Sequence, residues 1–442
     1  MINNFQNNNI ISKISSWIKE FNNLELFEKY SNYLSTGIPN FYDNLINGKV
    51  DNFNPNGIDG LITKKIIELY YGVNSNESNK VNDFVKGTKN DIKWIYSGLN
   101  DILSITKSFK EPLIEKDGKL INELVDPNCY KIPNNCKIIL LSDWAIGTKQ
   151  AYDVISKINI LNPDYLIYLG DVYYSGTKNE FDTNFFKPLE NLNKLTKIFF
   201  IPGNHDYYSG SRGIYYCLDK IGQNATYFSI YNDYFQFEGF DTGYNDSTVL
   251  NQINIIKSNT FLEKTENDWH FNRINVAKEL NRKLIVLSHH PPITYNDQIY
   301  WNLNESNQPT IPVNYELVEQ IYNWIENINL WFFGHSHGFN IFENYNYRDK
   351  TIKGCRLIGN GSCQSVNNSH NLELIEKPIY ESDKYLIPSI LPIFPDLFED
   401  EINAGFVLLD LANSSNNIYY YQIPQISMGV FGDPKCIFKE SI

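Results

Sequence analysis

The sequence of 442 residues predicts an α/β fold preceded by a mainly helical region. From residue 137 onwards, short apolar runs alternate with amphipathic helical patterns, as is typical of strands and helices that alternate along a chain. Before residue 110, apolar residues recur at spacings of three and four, the period of one helical face. We therefore divide the chain into a helical N-terminal region, residues 1–132, and an α/β domain, residues 133–442.

The helical pattern is clearest near the start of the chain. The residues that would share one apolar face there are Ile10, Ile14, Trp17, Ile18 and Phe21. Segment 125–135 contains Asp-Pro, a second proline and Asn-Asn, which is typical of a linker. The N-terminal region carries no cluster of residues that could act in catalysis or bind metal. Its role therefore stays open: residues 1–132 would be a lid, a partner-binding module or a self-association element.

The predicted strands of the α/β domain are apolar runs. They are residues 137–141, 165–169, 198–201, 284–287 and 330–333, with a predicted helix at 148–158. Residues 227–240 and 405–423 have the pattern of β-hairpins, with turns near 232–233 and 414–417.

Net charge, hydropathy and the cysteine pattern limit the kinds of partner and the cellular location that we expect for this protein. The formal net charge of −13 makes a nucleic-acid polymer an unlikely partner, although a bound metal would still permit a small phosphorylated substrate. No run approaches the length of a membrane helix, and the polar start lacks the features of a signal peptide. Six scattered cysteines without a CxxC motif favour free thiols in the cytoplasm. A loop disulfide between Cys129 and Cys136, or between Cys355 and Cys363, stays open.

Every one of the five apolar runs ends in residues that can bind metal. These ends are Asp143, Gly170-Asp171, Gly203-Asn204-His205-Asp206, His289-His290 and Gly334-His335-Ser336-His337. In α/β sheets, functional groups gather beyond the carboxyl ends of the strands. Carboxylates can bridge two divalent ions about 4 Å apart, and imidazole suits zinc, iron and manganese. The sequence therefore predicts one dinuclear metal centre.

The order of these blocks resembles the calcineurin-like metallophosphoesterase superfamily, over about residues 136–425. In motif style the chain is closest to purple acid phosphatases and related bacterial-type metallophosphoesterases. The resemblance implies a four-layer αββα sandwich of two mixed sheets flanked by helices.

The first block departs from the common superfamily pattern, Asp-x-His, because Ala145 stands at the histidine position. In the purple acid phosphatase branch the missing ligand is the tyrosine of Gly-Asp-x-x-Tyr. That position is Tyr174 here, and the neighbouring Tyr173 is the alternative.

The resemblance implies ligands for two metal ions, most simply iron with zinc or manganese. Asp143, Tyr174 and His337 would bind one ion, Asn204, His289 and His335 would bind the other, and Asp171 would bridge both. His290 is an alternative to His289. His270 and His370 belong to no cluster, so we expect them to have structural or surface roles.

The implied activity is hydrolysis of a phosphomonoester by a hydroxide that the two metals activate. His205 would stabilise the transition state or protonate the leaving oxygen. Asp206 would orient its imidazole, the alternative role of Asp206 being a helix or loop cap. Two other functions stay open: a phosphodiesterase for cyclic nucleotides or other small diesters, and a non-catalytic binding protein on the same fold.

Overall fold

The structure is a computed structural model. It describes residues 123–442 except 174, 209, 247–259, 294–312, 363–389, 392–395, 399–400, 413–414 and 428, together with residues 115–116 and 119–120. The helices predicted before residue 110 lie outside the described residues. The strands are β1 (Glu115–Lys116), β2 (Lys119–Leu120), β3 (Cys129–Lys131), β4 (Cys136–Leu141), β5 (Tyr165–Tyr168), β6 (Lys197–Phe200), β7 (Phe228–Tyr231), β8 (Phe235–Phe240), β9 (Lys283–Ser288), β10 (Ile328–Phe333), β11 (Phe339–Ile341), β12 (Tyr345–Tyr347), β13 (Lys350–Ile352), β14 (Cys355–Ile358), β15 (Leu397–Phe398), β16 (Glu401–Ile402), β17 (Ala404–Leu411), β18 (Asn417–Ile423), β19 (Gln425–Ser427), β20 (Val430–Phe431) and β21 (Lys435–Ser441).

The described α-helices connect these strands. They are α1 (Lys149–Ile160), α2 (Lys178–Glu180), α3 (Lys187–Leu189), α4 (Asn204–Tyr207), α5 (Arg212–Ile221), α6 (Lys264–Glu279) and α7 (Tyr315–Ile321). A π-helical segment, Phe181–Phe186, joins α2 to α3. None of the described helices is long and apolar enough to cross a membrane.

Two large mixed sheets contain most of the strands. One sheet has the order β21-β18-β17-β4-β5-β6, and the other has the order β11-β14-β10-β9-β8-β7-β3. Strands β4, β5 and β6 are mutually parallel, as are β8, β9, β10 and β14. The hairpins β7–β8 and β17–β18 are antiparallel, as the sequence predicted.

The two sheets pack face to face, and helices cover their outer faces. Ile167 of β5 and Phe332 of β10 belong to the apolar layer between the sheets. On the outer face of the six-stranded sheet, Leu166 packs in a cluster with residues of α1 and α5. On the outer face of the seven-stranded sheet, Trp331 packs in a cluster with residues of α6 and α7. This arrangement confirms the predicted four-layer αββα sandwich.

Local sequence signals explain helix α1. The side chain of Thr148 caps the helix by accepting a hydrogen bond from the backbone N–H of Ala151. Val154, Ile155 and Ile158 are buried, at the spacing that puts apolar residues on one helical face. The predicted helix at 148–158 is therefore confirmed.

The seven-stranded sheet begins earlier than the sequence predicted. Strand β3, Cys129–Lys131, pairs in parallel with β7, so it belongs to this sheet and lies inside the segment predicted as a linker. Cys129 and Cys136 are free thiols, as are the described Cys217, Cys355 and Cys436. The alternative disulfide between Cys129 and Cys136 is therefore absent.

Candidate metal centre

The candidate metal centre lies beyond the carboxyl ends of five strands, three from one sheet and two from the other. Strands β4, β5 and β6 lead into the loops that carry Asp143, Asp171 and Asn204. Strands β9 and β10 lead into the loops that carry His289 and His335. Because each group of strands is parallel, its carboxyl ends meet at one edge of its sheet. The five sequence blocks are thereby brought together, as predicted.

Three of these residues have a left-handed backbone conformation. The φ angles are 53° at Asp143, 73° at Asp171 and 67° at His335. For a residue other than glycine this conformation costs about 1–3 kcal/mol and is found mostly where function or context requires it. The three strained residues lie in three different loops, and each contributes a side chain to the same centre.

Glycine is required where the loops approach each other. A Cβ atom on Gly203 would lie 2.2 Å from Asp171 Oδ1, and one on Gly170 would lie 2.5 Å from the backbone nitrogen of Gly203. Both distances are far below van der Waals contact, so side chains at these positions would separate the loops that hold Asp171 and Asn204.

A buried tyrosine fastens two of the loops together. The hydroxyl of Tyr168, at the end of β5, accepts hydrogen bonds from the backbone N–H groups of Trp144 and Ala145, each 3.1 Å long. It donates to the carbonyl oxygen of Asp171, 2.5 Å away. One side chain therefore fixes the loops after β4 and β5, a role that its place within an apolar run did not indicate.

The first group of metal-competent atoms surrounds Asp143. Its Oδ2 accepts hydrogen bonds from Ser142 Oγ (2.6 Å) and from the backbone N–H of His335 (3.0 Å). Its Oδ1 lies 3.6 Å from His337 Nε2. Asp143 is fully buried, whereas His337 is partly exposed. Oδ2 of Asp143 thus connects the loop after β4 to the loop that carries His335, and Oδ1 faces the imidazole of His337.

Tyr173 is a tyrosine that the described residues include in this group. Its hydroxyl lies 3.0 Å from Asp143 Oδ1, 3.2 Å from Asp171 Oδ2 and 2.7 Å from His337 Nε2. Tyr174, the predicted ligand, lies outside the described residues.

The backbone explains how Tyr173 reaches this place. Ala145 and Val172 form a parallel β-bridge, and the N–H of Tyr173 donates to the carbonyl oxygen of Ala145 over 3.0 Å. The tyrosine therefore lies beside the residue that replaces the histidine of the superfamily pattern, and its hydroxyl is directed into the centre.

The second group contains an amide and two imidazoles. Asn204 Oδ1 lies 3.1 Å from His289 Nε2 and 3.1 Å from His335 Nδ1. These two ring nitrogens are 3.3 Å apart. His289 Nδ1 lies 2.8 Å from the carbonyl oxygen of Leu169, a hydrogen bond that fixes the ring with Nε2 towards the centre.

Asp171 connects the two groups, with one carboxylate oxygen towards each. Its Oδ2 is the atom beside Tyr173, and its Oδ1 lies 3.3 Å from His289 Nε2. Burial opposes ionisation of Asp171, but the imidazoles of His289 and His205 outweigh it and lower the pKa of this carboxyl. Asp171 is therefore an anion between the two groups, as a bridging ligand would be.

These residues fit metal ions. Among the described residues, no lysine or arginine forms an ion pair with the buried carboxylates of Asp143 and Asp171. Donor atoms of Asp143, Asp171 and His289 lie within 4.8 Å of one another, as do those of His289, His290 and His335. Two buried carboxylates whose printed ion-pair partners among the described residues are all imidazoles form a site that suits a bound cation. Burial, followed by the charges of His290 and His289, lowers the pKa of His335 and favours the neutral imidazole that binds metal.

His205 lies against the same centre. Its backbone N–H donates to Asp171 Oδ1 over 3.1 Å, and its Nε2 lies 4.0 Å from Asp171 Oδ2. The ring is buried between Tyr173 and Tyr208, at centroid distances of 4.8 and 4.6 Å. Its imidazole is therefore positioned by ring contacts on two sides.

The carboxylate of Asp206 is bonded to the backbone of two loops. It accepts hydrogen bonds from three backbone N–H groups, those of Asp171 (2.8 Å), Val172 (2.9 Å) and Gly203 (2.7 Å). The contacts of the described residues include none between this carboxylate and the His205 ring. These contacts support the alternative that the sequence left open, a loop cap. Asp206 joins the loop after β5 to the loop after β6.

The two ring nitrogens of His290 face Thr242 and Asp246. His290 Nδ1 lies 3.0 Å from Thr242 Oγ1, and His290 Nε2 lies 3.3 Å from Asp246 Oδ2. The ring lies 4.6 Å from the ring of His335. His289, whose Nε2 faces Asp171, is thus better placed than His290 as the ligand from this pair. Thr242 and Asp246 were missed because neither stands in a recognisable block.

His270 belongs to the core. The side chains of His270 and of its two partners, Glu238 and Glu266, are fully buried. His270 Nδ1 lies 2.6 Å from Glu238 Oε2. Burial opposes protonation of the ring, but hydrogen bonds to Glu238 and Glu266 raise the pKa of His270. This buried ion pair agrees with the structural role predicted for His270. His370 lies outside the described residues.

The described residues thus form a two-sheet sandwich with carboxylate, amide, imidazole and phenol groups beyond its strand ends. Residues 136–339 match the family model for calcineurin-like phosphoesterases. This match covers a little under half of the chain, so the resemblance to calcineurin-like metallophosphoesterases is shown for residues 136–339, and the donor atoms that could hold a metal ion lie within that range.

Two relatives illustrate the similarity in sequence. A protein of Coxiella burnetii, described as a probable cyclic nucleotide phosphodiesterase, is 26% identical over 48% of this chain and 78% of its own length. An uncharacterized metallophosphoesterase of Campylobacter jejuni is 23% identical over 42% of this chain and 45% of its own length. The match thus spans less than half of the second relative.

Two solved structures are similar to this chain. A dimetal phosphatase from Danio rerio is 12% identical, with a TM-score of 0.41, over 68% of this chain and 98% of its own. A purple acid phosphatase from yellow lupin seeds is 13% identical, with a TM-score of 0.39, over 70% of this chain and 55% of its own.

Proposed function

We propose that this protein hydrolyses phosphomonoesters at a centre of two divalent metal ions. One observation carries the proposal: the buried carboxylate of Asp171 directs Oδ2 towards Tyr173 and Oδ1 towards His289. A carboxylate between two groups of ligands is the arrangement that holds two ions close together. The first ion would be held by Asp143, Asp171, Tyr173 and His337, and the second by Asp171, Asn204, His289 and His335.

The chemistry of these donors agrees with the proposed metals. Phenol, carboxylate and imidazole ligands suit iron at the first position, and amide and imidazole ligands suit zinc or manganese at the second. Two bound ions supply Lewis acidity to phosphate oxygens and lower the pKa of a coordinated water towards neutrality. The free thiols of the described cysteines support the cytoplasm as the proposed location.

His205 is the proposed catalytic side chain. Its ring is buried beside Asp171, Tyr173 and Tyr208, so it has little freedom to move. From this place it would donate a hydrogen bond to a phosphate oxygen in the transition state or transfer a proton to the leaving oxygen. Asp206 supports it indirectly, because it fixes the backbone of the loops that carry Asp171 and Asn204.

Two observations favour different esters. A tyrosine hydroxyl among the donors is similar to the tyrosine ligand implied by the purple acid phosphatase resemblance, although it comes from Tyr173, one position before the motif tyrosine, and it supports a phosphomonoester as substrate. The similarity to the Coxiella burnetii protein described as a probable cyclic nucleotide phosphodiesterase supports a small diester as the second candidate.

Comparison of substrates tests this proposal. We expect kcat/KM for p-nitrophenyl phosphate to exceed the values for bis-p-nitrophenyl phosphate and cyclic AMP by about 10-fold or more. The measurement is initial rates on purified full-length protein, with zinc, manganese and ferrous iron supplied in separate assays. A preference for either diester would contradict the monoesterase proposal, and turnover of cyclic AMP alone would establish the second candidate.

Replacement of Tyr173 by phenylalanine tests which tyrosine binds metal. Phenylalanine retains the buried ring and removes the hydroxyl beside Asp143 and His337. We expect affinity for one of the two ions to fall by about 10-fold or more, by analogy with the loss of groups around metal sites. The measurement is competition with a calibrated chelator. In iron-loaded protein, any visible tyrosinate absorption should also disappear.

The matched control for Tyr173→Phe is Tyr174→Phe, which makes the same chemical change at the position favoured by the sequence. This control should retain wild-type affinity for both ions. The reverse result, loss in Tyr174→Phe alone, would restore Tyr174 as the ligand and refute the assignment of Tyr173.

A further inference from the structure

The carboxamide of Asn204 has different partners at its two ends. Its oxygen, Oδ1, lies 3.1 Å from both His289 Nε2 and His335 Nδ1, at the proposed second metal position. Its nitrogen, Nδ2, donates a hydrogen bond of 2.5 Å to the hydroxyl of Tyr208. The oxygen therefore faces the centre, and the nitrogen faces a buried phenol.

This orientation matters because only one end of an amide can bind a cation. The carbonyl oxygen has lone pairs to offer, whereas the NH₂ group is a donor. The two ends have almost the same size and shape, so packing alone does not select between them. The partners of the amide must therefore set its orientation, and Tyr208 is the partner that accepts from Nδ2.

Tyr208 also contacts the proposed catalytic side chain. Its ring lies 4.6 Å from the His205 ring at an angle of 50°. Tyr208 follows α4 directly, so Asn204 and His205 precede it by four and three residues, the spacings at which helical side chains meet. Tyr208 is fully buried, which restricts its own movement.

We propose that Tyr208 is a positioning residue for the second metal ion. Its hydroxyl holds the Asn204 carboxamide with the oxygen towards His289 and His335, and its ring supports His205. This inference rests on the proposed dinuclear centre. Because Tyr208 acts through Asn204, removal of the Tyr208 hydroxyl should lower the affinity for the second ion while every ligand remains in place.

Tyr208→Phe is the direct test. The metal-depleted full-length protein is titrated with zinc, and in a separate experiment with manganese, by calorimetry or chelator competition. We expect one of the two binding steps to lose about 10–100-fold in affinity and the other to stay unchanged. Either the tighter or the weaker step can be the one that responds. The matched control is Tyr207→Phe. The hydroxyl of Tyr207 is equally buried but bonds to Asp241 instead, so this control should retain both affinities.

A double-mutant cycle separates orientation from a general structural effect. Aspartate at position 204 presents an oxygen at both ends, so its orientation no longer matters. In the Asn204→Asp background, Tyr208→Phe should therefore change zinc affinity by less than about 3-fold, although it costs about 10-fold or more in the wild-type background. This comparison remains valid if either single variant is less stable, because each affinity is measured on folded protein.

The outcomes distinguish this inference from the proposed function. Wild-type protein that binds two ions, together with a Tyr208→Phe variant of equal affinity, would contradict the inference alone. An equal loss in Tyr207→Phe, or an undiminished loss in the Asn204→Asp background, would also overturn it. Wild-type protein that binds a single ion would contradict the dinuclear centre and the inference with it.

Discussion

Replacement of Asp171 by asparagine should lower kcat/KM by about 1,000-fold or more. Asp171 is the carboxylate between the two groups of ligands, and asparagine removes its charge and one of its two oxygen ligands. Metal ions contribute several kcal/mol of transition-state stabilisation, and each 1.4 kcal/mol corresponds to about a factor of ten in rate. The measurement is kcat/KM on the preferred substrate at saturating metal.

Asp164→Asn is the matched control for Asp171→Asn. Asp164 lies at the opposite end of β5, where its carboxylate accepts a hydrogen bond of 2.8 Å from the backbone N–H of Lys137. This variant should retain wild-type turnover and lose only a small amount of stability. If Asp171→Asn retained more than about a tenth of wild-type kcat/KM, which corresponds to a loss below about 1.4 kcal/mol, Asp171 would not be a bridging ligand.

Replacement of His205 by alanine should lower kcat by about 100–10,000-fold, the range typical of a lost general acid or transition-state donor. The backbone N–H of His205 that bonds to Asp171 is retained in alanine, so both ions should still bind. The measurement is kcat together with metal content. Because His205 lies within the centre, a fall in kcat with unchanged metal content identifies a role in the reaction itself.

The control for His205→Ala is His370→Ala, a histidine that the sequence places outside every block. This variant should turn over at the wild-type rate. Equal activity of His205→Ala and wild type would remove the catalytic role of His205. If neither protein hydrolysed any phosphoester, the non-catalytic binding protein would become the better interpretation.

Much of the α/β fold could be predicted because its strands are short apolar runs with clear ends. The run predicted at 165–169 is strand β5, Tyr165–Tyr168, and the helix predicted at 148–158 is α1. Strand β3 was missed for a physical reason. It has only three residues at the edge of a sheet, next to Asp-Pro, and its pairing with β7 is a tertiary contact that no local pattern reports.

The predicted blocks come together because their ligands follow parallel strands, whose ends converge. What the sequence could not decide was the direction of individual side chains. Tyr173 and Tyr174 are adjacent and chemically identical, so the sequence does not decide between them. The structure places the hydroxyl of Tyr173 2.7 Å from His337 Nε2, whereas Tyr174 lies outside the described residues. The backbone contacts of Asp206 were similarly hidden, because they join loops about 35 residues apart in sequence.

The metal content of the wild type and of Asp171→Asn tests the dinuclear centre most directly. Metal-depleted proteins are equilibrated with zinc, manganese or ferrous iron, and the bound ions are counted per chain. The wild type should bind two ions, and Asp171→Asn should bind at most one with comparable affinity. A wild type that binds one ion, or an Asp171→Asn variant that binds two as tightly as the wild type, would contradict a centre bridged by Asp171.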